Sequence, residues 1–322
     1  MTRNIRRFWF FIGIAAIILI AFLWPELGDA ARFYRIPNAA IFLAFLITGA
    51  KLDTGQIADQ VKNLRIPLAA TASSLLLIPL FTHWLARLIF ADNPDFVVGA
   101  TLIAAAPVTI ASGTVMTGMA LGNVPLSLFI CIIGNFTALL TMPFMLSLLL
   151  QLEHTIELPV IEILGGLVVV VLVPTIIGQL IRPWTKHLLG AWTSPFQQAV
   201  VLLIIFNAVS SSSDQVAGAG RALFVLFVFM LLLRTAILAC NYAIARLMRL
   251  DQPSTSAFTI HVSQKTLTIS YLIWDGYFAR VYPLAMLPGI VYHLCQMVMD
   301  TGVARLFRRR QKALLQRVKS PN

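Results

Sequence analysis

The sequence predicts an all-α polytopic membrane protein of ten transmembrane helices, arranged as a 5+5 inverted repeat. Three observations carry that reading. Of 322 residues, 59% are hydrophobic and only 11% charged, against roughly 45–50% and about 25% in a soluble domain. Apolar runs recur along the whole chain, and a span needs about 20 such residues. Two of the runs, the fourth and the ninth, are interrupted by polar residues half a chain apart. Too little polar surface is left to coat a soluble enzyme, a nucleic-acid binder or a disordered tail.

The runs lie at about 8–24, 38–50, 66–90, 96–121, 124–150, 159–181, 195–212, 221–248, 254–273 and 282–306. The first follows Arg3, Arg6 and Arg7 and precedes Gly28-Asp29-Ala30. A cleaved signal peptide is the weaker reading, because an apolar core of about 17 residues exceeds the usual 7–15. The fourth run carries Ala106-Pro107 through Ser112-Gly113-Thr114. We place its break at Ser112–Thr114, where Gly113 permits backbone that a β-branched residue resists. Gly118 and Gly122 form a GxxxG match, read as close packing or the turn after this run rather than a dimer seam. Thr117 follows the break, and Ser127 and Asn135 lie in the fifth run. Hydroxyls and amides of this kind ligate, bond their own helix carbonyls or glue neighbouring helices.

The eighth run buries Arg234, 13 residues from its start, or roughly 20 Å deep. It either adds positive potential to a site or pairs with carbonyls. His261-Val262-Ser263-Gln264-Lys265-Thr266 interrupts the ninth run. Lys265 is the sharpest feature, since a charge at the bilayer centre costs ~2.5–3.5 kcal/mol on insertion scales. It is read as a substrate or coupling group, or as a permanent brace. His293 and Gln296 share a face of the tenth helix. His83, His154 and His187 are expected at span ends.

Ser112 and Gln264 stand 152 residues apart. A single membrane domain therefore divides into repeat one at about 8–150, repeat two at about 159–306, and a basic cytoplasmic tail at 307–322. Five spans per half turn the second half upside down, and the broken helices then meet near the midplane. With the N-terminus inside, cytoplasmic segments hold 17 Lys and Arg and the opposite side 5. That bias places both termini in the cytoplasm. It also accounts for the net charge of +11 without a nucleic-acid partner. Arg308-Arg309-Arg310 is expected to contact anionic lipid headgroups.

Several segments resemble the bile acid:sodium symporter family, and most closely its seventh-member branch of bacterial and eukaryotic transporters. They are Gly49-Ala50-Lys51-Leu52, Ala106-Pro107 through Gly122-Asn123, and Leu126-Ser127. Further matches are Gly178-Gln179 with Arg182-Pro183-Trp184, Ser263 through Leu267, and Leu287-Pro288 with Tyr292-His293 and Gln296. The resemblance implies a panel and a core, with the fourth and ninth helices crossing in the core. Bile-acid members place a carboxylate in the ninth-helix crossing and an asparagine in the fourth, both as sodium ligands. Here no Asp or Glu lies between Asp251 and Asp275, and Gly113 or Thr114 takes the asparagine position. Lys265 falls where the ion site would lie.

These readings point to a secondary transporter of a small organic anion, working by alternating access in a bacterial inner membrane. The expected substrate or ion site comprises Ser112, Gly113, Thr114, Thr117, Ser127, Asn135, Ser263, Gln264, Lys265, Thr266, His293 and Gln296. No cofactor or metal centre is expected, and Na+ or H+ is the candidate coupling ion. Catalytic residues are not expected, since no Ser/His/Asp order, HExxH, Walker loop or paired membrane carboxylates stand out. The alternative, resting on relatives linked to calcium homeostasis, is a non-transporting regulator of ion flux.

Overall fold

A computed structural model describes residues 2–53, 55, 64–151 and 158–319. Lys62, Glu153, His154 and Glu157 lie outside the described residues. Among those described, every regular element is helical. Helix α1 (Thr2–Leu23) turns by 95° into α2 (Pro25–Phe33). Pro25, whose ring cannot continue the preceding helix, stands at that bend. The helix α3 (Ile36–Lys51) follows, and then α4 (Arg65–Ala72) and α5 (Ile78–Ile89), joined by a π turn at Ser73–Leu77. Next come α6 (Pro94–Ala105), α7 (Ile110–Met119) and the long α8 (Val124–Gln151). In the second half, α9 (Val160–Leu167) and α10 (Val173–Thr185) are joined by a π turn at Val168–Leu172. They lead to α11 (Thr193–Ser210), α12 (Ser213–Gly218) and α13 (Gly220–Leu247). The chain finishes with α14 (Gln252–Val262), α15 (Leu267–Ile273), a π turn at Trp274–Phe278, and α16 (Met286–Lys319).

Among the described residues, five stretches are long and apolar enough to cross a membrane: 65–89, α8, 160–185, α11 and α13. Their outer faces are apolar. Phe136, Leu140, Phe144 and Leu148 make an exposed stripe along α8 at a spacing of four. Such a surface is stable only against lipid or another apolar face. The helices α3 and α10 pack backbone to backbone. Gly49 lies against the Thr175 carbonyl and Gly178 against that of Leu46, so a Cβ at either would collide. Small residues permit this approach where no hydrophobic drive exists between helices.

The fourth run is interrupted at Ala106–Thr109, not at Ser112–Thr114 as the sequence suggested. Pro107 explains the position. Its ring disfavours α geometry at the preceding residue, and Ala106 is extended with ψ 150°. Gly113 lies inside α7, and no glycine has a positive φ. Its requirement is steric instead: an added Cβ would stand 2.6 Å from Cε1 of His261. The ninth run breaks between α14 and α15 at Ser263–Thr266, within the expected segment. The Gly118–Gly122 match is a turn, with Leu121 at φ 56° and the Gly122 N–H donating to the Thr117 carbonyl over 2.9 Å. His83 is buried against α6 and bonded to Thr101 at 2.8 Å, rather than interfacial. His187 is exposed.

Candidate functional site

The two breaks touch. A helix break frees carbonyls that membrane or protein interior cannot solvate, so each needs a donor. Ala106 receives the Lys265 ammonium at 3.0 Å, Pro107 receives the Thr266 N–H at 2.9 Å, and Val108 receives the Asn135 amide at 3.1 Å. On the facing break, the Ser263 carbonyl accepts from the Tyr292 hydroxyl at 2.8 Å. The Gln296 side chain brackets Lys265, accepting its N–H at 2.8 Å and donating to its carbonyl at 3.4 Å.

Lys265 is wholly buried. Besides Ala106, its ammonium donates to the Ser74 carbonyl at 2.6 Å and the Ser74 hydroxyl at 3.0 Å. The π turn makes that carbonyl available. Ile78, which would serve Ser74 in an α-helix, donates to Ser73 instead, and Pro79 has no N–H. Three oxygens, two of Ser74 and one of Ala106, thus match the three ammonium protons.

Arg234, left open by the sequence, pairs with Asp300 of α16. Both side chains are at most 1% exposed. Arg234 also donates to the Tyr292 hydroxyl at 3.0 Å. The second carboxylate oxygen of Asp300 accepts from Nε2 of Gln264 at 2.6 Å. Oε1 of Gln264 accepts from Thr109, and from Ser112 at 2.9 Å. A third group surrounds His261, also buried: Ser127 bonds its Nδ1, and Thr117 lies 3.1 Å from Ser127. Ser263 accepts from Asn241 at 2.9 Å.

A cavity of about 320 Å³ opens between these breaks and helices α1, α3 and α11. Of the expected site residues it is lined by Ser112, Thr114, Asn135, Thr266 and His293. Gly113, Thr117, Ser127, Ser263, Gln264, Lys265 and Gln296 form the packing behind that wall and do not line it. Lys51 is the one charged side chain among the described lining residues; its ammonium donates to Thr193 at 2.8 Å. Nδ1 of His293 has no partner among the described residues. The α7 N-terminus borders the cavity through Thr109 and Ser112, and no side chain caps it.

At the other end, a wider cavity of about 1030 Å³ includes Asp29, Arg32, Arg35, Asp275 and Arg280 in its wall. There Arg32 of α2 pairs with Asp275 at 2.5 Å. Nearby, the Tyr271 hydroxyl donates to Asn207 of α11 at 2.5 Å.

Sequence reasoning missed Thr109, Ser74, Lys51 as a lining residue, and Asp300. A signal for Asp300 was present. It lies seven residues after His293 and four after Gln296, on the same helical face, and an acidic residue in a span is a functional candidate by default. Nothing local marked Ser74.

The model of the SBF-like CPA transporter family (DUF4137) matches residues 8–309. The chain is 27% identical to "Probable sodium/metabolite cotransporter BASS4, chloroplastic" of Arabidopsis thaliana, over 96% of this chain and 74% of that protein. It is 23% identical to "Sodium/bile acid cotransporter 7-B" of Xenopus laevis, over 94% of this chain and 92% of that protein. Identity to "Sodium/bile acid cotransporter 7" of Xenopus tropicalis is also 23%, over 98% and 96%.

Proposed function

Because this chain belongs to the SBF-like CPA transporter family, we propose that it is a secondary transporter moving a small organic anion by alternating access. The cavity between the breaks and helices α1, α3 and α11 carries the proposal. Its described lining holds one charged group, Lys51, and includes the uncapped N-terminus of α7. Helix N-termini favour negative charge through their free N–H groups and aligned peptide dipoles. Half-helix ends facing a cavity are a recurrent transporter arrangement. Arg234 does not contribute to this field, because Asp300 neutralises it.

The helices group as five spans plus five: α1, α3, 65–89, the broken α6–α7 and α8, then 160–185, α11, α13, the broken α14–α15 and α16. We assign the repeats to about 8–150 and 159–306. Both termini are cytoplasmic, on the charge bias, and the bilayer is the inner membrane. Panel helices α1–α3 and α9–α11 would rock against the rest. The Arg32–Asp275 pair links α2 to the π turn after α15, and so ties panel to core on the outer side.

Sodium coupling meets a specific obstacle. Three oxygens of a size to hold a cation are already occupied by the tethered ammonium of Lys265. A tethered charge cannot be driven across by a gradient. This observation favours a second reading, a non-transporting regulator of ion flux that keeps the fold. Uptake of radiolabelled organic anions into proteoliposomes, with imposed sodium, proton or no gradient, separates the readings. Gradient-driven accumulation supports coupled transport by another ion route. Equilibration without accumulation leaves a facilitator, and absence of uptake across the screen favours the regulator.

A further inference from the structure

The wall formed by Thr109 and Ser112 has a defined hydrogen-bond polarity, and its origin lies outside the cavity. Asp300 faces the Arg234 guanidinium and is therefore an ionised carboxylate, which only accepts. Gln264 meets it at 2.6 Å and must present its NH₂ group there. That orientation follows from chemistry, independent of how an amide is drawn. Oε1 of Gln264 is then turned toward Thr109 and Ser112. These two hydroxyls also lie 2.6 Å from one another. Whichever donates to the other, each hydroxyl hydrogen has an acceptor inside the triad. Only lone pairs remain for the cavity, which both residues line.

We infer that Asp300, acting through Gln264, makes the Thr109–Ser112 wall a hydrogen-bond-acceptor surface, so that the transported anion also carries a donor group, as a hydroxy- or amino-carboxylate does. The inference rests on the anion reading above. The negative group faces the Lys51 ammonium, while the hydroxyl or ammonium faces the wall. A carboxylate lacking a donor leaves the wall oxygens unmatched. Asp300 is thus a positioning residue that sets specificity without touching substrate.

The test uses the full chain in lipid nanodiscs and matched probes: propionate against lactate and alanine, and succinate against malate. Apparent affinity is read from thermal stabilisation in the nanodiscs and from competition of uptake in proteoliposomes. One donor–acceptor pair of ordinary strength, ~0.5–1.5 kcal/mol, predicts about a two- to thirteenfold preference for the donor-bearing member of a pair. Ser112→Ala removes one acceptor and brings the ratio toward one. The double variant Arg234→Gln with Asp300→Asn keeps the buried contacts neutral and frees Gln264 to turn, and the ratio falls again. A purely structural role for Asp300 would lower the melting temperature and leave the ratio unchanged. The inference is overturned by a ratio near one in the wild type, or by a ratio that survives in Ser112→Ala. Should the double variant fail to fold, Ser112→Ala decides alone. A sodium-dependent stabilisation lost in Ser112→Ala would instead assign the wall to an inorganic cation and also overturn it. If neither member of any pair binds, the anion reading fails and this inference with it. If both members bind equally, the anion reading stands and only the inference fails.

Discussion

Replacing Arg234 by Gln removes the cation and strands Asp300, a carboxylate whose remaining described donor is the Gln264 amide at 2.6 Å. Replacing Asp300 by Asn strands the guanidinium, which keeps the Tyr292 hydroxyl at 3.0 Å while its Nε already lacks a partner among the described residues. With both side chains at most 1% exposed, water cannot compensate either loss. Breaking a buried pair on one side typically costs about 3–5 kcal/mol. At about 2–4 °C per kcal/mol for a domain of 150–250 residues, each single variant is expected to melt roughly 10 °C lower. Removing both charges together abolishes the stranded ion as well as the attraction. The combined Arg234→Gln and Asp300→Asn variant is therefore expected within about 2 kcal/mol of the wild type. The assay is a double-variant cycle by thermal melting in detergent, repeated in nanodiscs. A combined variant as unstable as the worse single one, or worse, would refute the reasoning. It would mean that Arg234 and Asp300 act through separate packing contacts.

Four further outcomes follow from the same geometry. Lys265→Gln empties the site lined by Ser74 and Ala106 oxygens, so its melting temperature is expected to rise with sodium while that of the wild type does not. A steep sodium dependence in the wild type would locate a second ion site. Gly113→Val drives a side chain into the His261 ring, at a cost of about 1–3 kcal/mol; membrane insertion is expected to persist while uptake falls to background, and wild-type uptake would contradict the packing. Arg32→Asp is expected to impair uptake by removing the link to Asp275, and adding Asp275→Arg to restore part of it; no recovery in the swap would deny the pair a role. A C-terminal reporter active only outside the cytoplasm is expected to stay silent, and a signal from it would make the number of spans odd.

Particular residues show where sequence reasoning reached and where it stopped. Membrane class followed from composition, because a bilayer demands apolar length regardless of fold. The two breaks were legible because Pro107 and the polar run Ser263–Thr266 act on their own backbone. Pro107 sets the first break at Ala106–Thr109, ahead of the polar Ser112–Gly113 pair. Gly113 is constrained by the His261 ring arriving from another helix, not by its own φ, and no neighbour in sequence reveals that. Lys265 announced itself as an intramembrane charge, yet its partner Ser74 lies 191 residues away and is available only because a π turn misaligns one carbonyl. Arg234 and Asp300 are 66 residues apart, and either could have faced some other group. Local conformation is decided by neighbours in sequence, so hydropathy and proline reveal it. The partner of a buried charge is decided by how helices pack, and packing brings together residues that nothing along the chain connects. The sequence of this protein therefore dictates apolar membrane helices broken at Pro107 and at Ser263–Thr266. Only the tertiary structure shows the Lys265 ammonium meeting Ala106 and Ser74, and Thr109 facing the cavity with Gln264 and Asp300 behind it.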